Sequence, residues 1–211
     1  MLRVQSSPNC GPRRDGLTPT LIVIHYTAME SAQAAVERLC DPRAEVSAHY
    51  LIDAQGAVTR MVEEDQRAWH AGAGEWSGMN DINSRSIGIE LDNRGTHPFS
   101  APQMDALEVL LGGIMQRWKI PAAGVIGHSD MAPGRKSDPG PHFDWARLER
   151  VGLAQGGTLR PTGALDASAF REAARSAGYT AKADGDMLLR TTRLRHAPWR
   201  TGPLQAADFR F

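Results

Sequence analysis

Residues 20–26 read Thr-Leu-Ile-Val-Ile-His-Tyr, and this unbroken apolar run constrains the fold more than any other stretch of the chain. Four consecutive large aliphatics suit a strand buried on both faces, as in an α/β sheet covered by helices. The run ends in His25, at the end of a central strand, where open α/β sheets commonly hold their ligands. The same histidine could instead cap the strand and bond a loop. A second run, residues 86–91 (SIGIEL), alternates: Ile87, Ile89 and Leu91 share one face and leave Gly88 and Glu90 on the other. Glu90 then faces either a pocket, as a general base with Gly88 clearing space beside it, or solvent, as part of a polar face.

Residues 127–141 (GHSDMAPGRKSDPGP) bring together two metal-ligand candidates, a lysine and several backbone-stiffening residues. His128 and Asp138 supply one imidazole and one carboxylate, a mixture that open catalytic zinc sites use. Pro139 disfavours the helical region for Asp138 and pushes it extended. Side chains alternate along an extended segment, so Lys136 and Asp138 are expected to leave the chain on the same side. A cation beside a metal-bound carboxylate is suited to a developing oxyanion. Spacing alone does not decide the matter, because such His–Asp pairs are common in loops.

Two further stretches, residues 46–53 (VSAHYLID) and 68–72 (AWHAG), stand between these motifs. With Leu21–Tyr26 (LIVIHY), 81–91 (DINSRSIGIEL) and 127–141, in this order, the chain resembles the type 2 N-acetylmuramoyl-L-alanine amidases, bacterial zinc hydrolases of cell-wall peptides. The resemblance runs over residues 5–150. Peptidoglycan recognition proteins share that fold, but the APGRKxDPG stretch is that of the bacterial enzymes. The fold implied is α/β, a mixed central β-sheet flanked by helices. The resemblance also implies His25, His128 and Asp138 as the ligands of a zinc cofactor (Zn2+), with the fourth position left for water. It implies Glu90 as the carboxylate that takes the water's proton and passes it to the leaving amine. Lys136 is implied as the cation that stabilises the tetrahedral oxyanion. His49, Trp69, His70, Asn83 and Arg85 are expected along the substrate cleft. His49 is not expected as a fourth ligand, because that would close the site to water. The Trp69–His70 pair reads equally well as structural. Recognition proteins that bind without hydrolysis usually lack part of the metal site, whereas this chain has all of it, so catalysis is the expectation.

Composition narrows the alternatives. The 211 residues suffice for one α/β domain with a small appendage. Lys plus Arg equals Asp plus Glu at 24 each, so there is no overall charge that would draw nucleic acid. No apolar run approaches the roughly 18 residues that span a membrane. The first residues lack the apolar core of a secretory signal, which points to a cytoplasmic protein, or a periplasmic one if the true start lies upstream. Cys10 and Cys40 are expected to be reduced, and neither resembles a metal ligand. His142, after the Asp138-Pro139-Gly140-Pro141 turn, reads as a surface or helix-start residue, and His97 and His196 carry no motif.

Along the chain, residues 29–39 read as a helix, and 46–52 and 57–62 as strands joined by the turn Asp53-Ala54-Gln55-Gly56. Residues 72–83 read as a loop rimming the cleft. A helix starting at Ser100, with Pro102 in its first turn, runs to Trp118 and turns Met104, Leu107, Leu110, Leu111, Ile114 and Met115 to the core. A short strand near 124–127 delivers His128, and 143–151 closes as a helix. The amidase domain is placed at 1–155. Gly156, Gly157, Pro161 and Gly163 suggest a linker, and 156–211 a short helical region resembling, faintly, a peptidoglycan-binding module. Its helices are expected at 165–178, with Asp166 or Ser168 as cap and Gly178 as stop, and at 186–195 and 203–209. A packing element or lid is the other reading of that region.

The function these features imply is hydrolysis of the amide between the lactyl group of N-acetylmuramic acid and L-alanine of a stem peptide. Soluble recycling fragments, including 1,6-anhydro-muropeptides, are expected as substrates and partners in preference to intact wall. Two competitors remain: a muropeptide-binding module that does not cleave, and a zinc peptidase acting within the stem peptide. The sequence is silent on oligomeric state.

Overall fold

The computed structural model describes residues 2–158 and 166–211. Pro161, Gly163 and the first residue of the helix expected at 165 lie outside the described residues. The chain runs β1 (Arg3–Val4), β2 (Cys10–Pro12), β3 (Leu21–Tyr26), α1 (Ala32–Cys40), β4 (Tyr50–Ile52), β5 (Val58–Arg60) and β6 (Gln66–Ala68). It continues through α2 (Ile82–Arg85), β7 (Ser86–Leu91), α3 (Ala101–Trp118), β8 (Val125–Gly127), α4 (His128–Met131), α5 (Trp145–Arg150), α6 (Ala167–Ser176) and α7 (Gly185–His196). Among the described residues no helix is long and apolar enough to cross a membrane. Cys10 and Cys40 are free thiols.

Six strands form one mixed sheet in the order β1-β5-β4-β7-β3-β8, while β2 and β6 pair separately. The ladder is parallel except where the β4–β5 hairpin turns back, at Asp53–Gly56 as the sequence indicated. Gly56 takes φ +84°, which a side chain would resist, and its N–H closes the turn on Asp53 O at 2.9 Å. The strand β3 lies between β7 and β8 and is buried from Leu21 to His25, so the apolar run does form an interior strand of a covered sheet.

The two faces of the sheet differ. Ile22, Ile24, Ile87, Ile89, Leu91 and Val125 point to one side, where Met104, Leu107, Leu111 and Ile114 of α3 meet them, with Trp145 and Leu148 of α5. Ser100 caps α3 by accepting from Gln103 N at 3.3 Å. Fully burying a large aliphatic side chain contributes about 1.5–3 kcal/mol, so this face alone supplies a large part of the driving force. Leu21, Val23 and Ile126 point to the other side, against Phe170, Phe209 and Phe211. α1, capped by Ser31 rather than starting at 29, covers Leu51 with Ala35 and Leu39.

The tail is therefore no detached appendage: it supplies the second lid of the sheet and shares a core with it. A buried polar cluster ties the two. Asp130, in the turn after His128, accepts from Gly127 N at 2.8 Å, Arg195 Nη1 at 3.0 Å and Tyr179 OH at 3.1 Å. The helix expected at 203–209 is a single 3-10 turn at Ala206–Asp208. Arg193 draws that segment into a bend by donating to Gly202 O, Pro203 O and the Asp208 carboxylate. Asp166, rather than Ser168, caps α6.

The strand expected from residue 46 starts at Tyr50: His49 N already reaches Gly88 O of β7, but Ser47 N bonds outside the sheet, to Trp69 O. His49 is fully buried. Its Nδ1 accepts from Gly88 N at 3.0 Å, so the proton sits on Nε2 and is donated to Gln66 O at 3.1 Å. Burial, then the nearby Arg13 guanidinium, lowers its pKa from 6.5 to about 3.

Two outcomes follow from this packing. Arg195 and Asp130 are 6% and 1% exposed at the side chain, so Arg195→Ala strands a buried carboxylate. It is expected to cost about 3–5 kcal/mol in urea unfolding, and a loss under about 1 kcal/mol would contradict the brace. Second, the unfolded chain takes up a proton at His49 between pH 6.5 and about 3 that the native protein refuses. Stability is complete above that window and falls as pH drops, by about 1.4 kcal/mol per pH unit per proton. Burial lowers His25, His70 and His196 in the same direction. Unfolding free energy that stays level or rises from pH 7 to pH 5 would contradict the neutral-imidazole assignment.

Candidate metal centre and cleft

The sheet brings the ligand candidates together from three places. His25 is the last buried residue of β3 and shares its face with Leu21 and Val23. Its register partner on β7 is Glu90, so the two leave adjacent strands side by side on one face. β8 pairs with β3 as far as Gly127, and His128 follows at the first position of α4. Asp138 returns to the same point through the bond from Ser129 N to Asp138 O, 2.9 Å.

His25 Nδ1, His128 Nδ1 and Asp138 Oδ2 lie 2.9 Å from one another in all three pairs. The residues are 2%, 2% and 7% exposed. His128 Nε2 donates to Ala71 O at 2.9 Å, which leaves Nδ1 of the neutral ring with a bare lone pair. Burial, then His128, lowers His25 from 6.5 to about 4, so His25 is neutral near pH 7. Acceptor atoms this close in a buried pocket need a positive charge among them. Two imidazole nitrogens and one carboxylate oxygen fit a metal ion with a coordination position to spare.

A cavity of about 370 Å³ opens on this trio, and Glu90, Lys136, Trp69 and His70 line it. Glu90 Oε2 is buried without a hydrogen-bond partner among the described residues. Burial and the Asp138 carboxylate push Glu90 up from 4.5 to about 8, while Lys136 pulls it down. The pocket-facing reading of Glu90 is the one the structure adopts. Lys136 and Asp138 both reach the cavity, though through a turn, Lys136 N to Ala132 O, rather than an extended segment.

Three residues expected along the cleft stand outside its lining. His49 is sealed in the backbone bonds described above. Asn83 is buried, and its Oδ1 accepts from His70 N at 3.0 Å and Ala71 N at 2.8 Å, so it holds the loop from behind. Arg85 turns away to Asn80 O at 3.0 Å. Two arginines outside the expected set organise this region. Arg135 grips the same loop through Ala71 O and Ala73 O, and its place beside Lys136 was a usable signal. Arg13 clamps Asn83 O, Ser84 O and Ser86 O from some 70 positions away in sequence, where no local pattern marks it.

Residues 15–141 match the N-acetylmuramoyl-L-alanine amidase family. The chain is 38% identical over 149 residues to N-acetylmuramoyl-L-alanine amidase AmiD of Escherichia coli, covering 63% of this chain and 53% of that protein, so the match spans about half of that relative's length. It is 36% identical to 1,6-anhydro-N-acetylmuramyl-L-alanine amidase AmpD of the same organism, covering 67% of this chain and 87% of AmpD. Among solved structures, AmiD in complex with its substrate anhydro-N-acetylmuramic acid-L-Ala-D-gamma-Glu-L-Lys superposes at TM-score 0.81 with 29% identity, covering 97% of this chain and 89% of AmiD. AmpDh3 of Pseudomonas aeruginosa in complex with anhydromuramic pentapeptide gives TM-score 0.81 and 29% identity over 97% and 91% of the two chains. By sequence over most of its length and by fold over nearly all of it, this chain belongs to the N-acetylmuramoyl-L-alanine amidase family.

Proposed function

We propose that the protein is a zinc-dependent amidase that hydrolyses the bond between the lactyl group of (1,6-anhydro-)N-acetylmuramic acid and L-alanine of peptidoglycan stem peptides. The convergence of His25, His128 and Asp138 beside the half-buried Glu90, whose buried Oε2 has no hydrogen-bond partner among the described residues, carries this reading. The activities and bound ligands of AmiD, AmpD and AmpDh3 support the substrate class.

His25, His128 and Asp138 would hold the zinc. When bound, zinc supplies Lewis acidity and brings the pKa of a coordinated water down to about 7. Glu90, held at the rim of the trio by its register with His25, is placed to take a proton from the attacking water. A carboxyl poised near neutrality can then give that proton to the departing amine. Lys136 is exposed within the cavity and has no ion-pair partner among the described residues, so its ammonium is free for the developing oxyanion. The carbonyl carbon gains the water oxygen and becomes the lactyl carboxylic acid, the C–N bond breaks, and the stem peptide leaves with the free amine of its N-terminal L-alanine. Trp69 offers an aromatic wall to the sugar or peptide.

The same Glu90 favours cleavage over a non-cleaving module, since an unsatisfied carboxylate oxygen beside the three ligands is a cost that a catalytic role accounts for. A peptidase acting within the stem is separated by its product. Mass spectrometry of anhydro-muropeptides incubated with the zinc-loaded protein should show a peptide with free N-terminal L-alanine and the intact lactyl sugar. Cleavage inside the peptide, or between sugars, would overturn the proposal.

Glu90→Gln should slow that cleavage by about 10²–10⁴-fold while leaving zinc content unchanged. Lys136→Ala should slow it by about 10²–10³-fold, mainly in kcat. Full activity in either variant would remove that residue from the mechanism.

A further inference from the structure

His70 is not one of the converging ligands, yet its hydrogen bonds decide how one of them presents itself. The chain of donors starts at a carbonyl, which can only accept: Ser86 Oγ donates its one proton to Ile82 O at 2.6 Å. A lone pair of that hydroxyl therefore faces His70 Nε2 at 3.1 Å, and Nε2 must carry a hydrogen. In the neutral ring that tautomer leaves His70 Nδ1 bare, and it accepts from His25 Nε2, 3.0 Å away. His25 then keeps its proton on Nε2 and turns an unprotonated Nδ1 towards His128 and Asp138.

We propose that His70, anchored by Ser86, is a positioning residue that fixes the tautomer and ring orientation of His25 for metal binding. The proposal rests on the metal reading of the site and is independent of the substrate. Three features built around His70 fit this role. Gly88, the register partner of Val23, has no side chain because the His70 ring occupies that space; a Cβ there would collide with the ring. Asn83 pins the backbone of both His70 and Ala71. The carbonyl of Ala71 sets the tautomer of His128, so one short loop, held by one asparagine, presents both imidazoles by their Nδ1 atoms. Partners of this kind are worth about 10–100-fold in metal affinity.

The test is zinc affinity, measured by competition with a chromophoric chelator, on wild type, His70→Ala and His70→Asn. His70→Ala should weaken binding by about 10–100-fold. His70→Asn, whose Oδ1 can accept where Nδ1 did, should recover most of it. Wild-type affinity in the alanine variant, or equal loss in both, would overturn the proposal. Nitrogen-15 NMR of the wild-type imidazoles needs no variant to fold: His25 should carry its hydrogen on Nε2 with and without zinc, and a hydrogen on Nδ1 in the zinc-free protein would overturn it. If the substrate reading fails instead, muropeptides stay uncut while these zinc and NMR results are unchanged.

Discussion

Everything in this fold bears on one repulsion. Two imidazole nitrogens and a carboxylate oxygen, all acceptors, are held 2.9 Å apart in a buried pocket. No such arrangement survives on its own account, because desolvated lone pairs of one sign push apart. It persists because each member is tied from elsewhere: His25 by its strand and by His70, His128 by Ala71 O, and Asp138 by the bond from Ser129 N. The same ties turn the Nδ1 of both rings to one point, where a cation would satisfy all three acceptors.

The sheet makes this possible by changing character along one face. On the α3 side, every residue of β3 and β7 that points there is apolar except Tyr26 at the rim. On the other side, β3 passes from Leu21 and Val23 to His25, while β7 carries Ser86, Gly88 and Glu90 in register beside them. The apolar start of β3 is covered by Phe170, Phe209 and Phe211 of the C-terminal region. The polar column needs a different cover, and the loop carrying Trp69, His70 and Ala71 provides it. Arg195 and Tyr179 of the same region also brace Asp130, two positions beyond His128, so the tail supports the metal site as well as the core.

Much of this was legible in the chain. The run of aliphatics before His25 placed the central strand, the alternation at 86–91 placed Glu90 on the face away from Ile87 and Ile89, and Ser100 with Pro102 marked the start of α3. These signals are local, set by periodicity and capping within a few residues. What stayed hidden depends on side chains that meet across long separations. His49 looked like a cleft residue because its motif lies beside the site, but backbone partners on β7 and near β6 seal it in the core. Asn83 and Arg85 sit in the same helical turn, and nothing in their spacing says that one supports a loop while the other faces away. Gly88 was read as clearing space for a pocket; the space is there, but His70 fills it. The C-terminal helices were visible as helices, whereas their union with the sheet rests on Arg195 and Tyr179 reaching Asp130, which no local pattern encodes.

The central claim is that three preset donor atoms, and no others from the protein, form the metal site. The most direct measurement is a crystal structure of the zinc-loaded protein with anomalous diffraction at the zinc edge. One ion bound by His25 Nδ1, His128 Nδ1 and an Asp138 carboxylate oxygen, with Glu90 nearby and unligated, is the expected result. Coordination through Nε2 of either imidazole, recruitment of His70 as a ligand, or an ion bound elsewhere would contradict it.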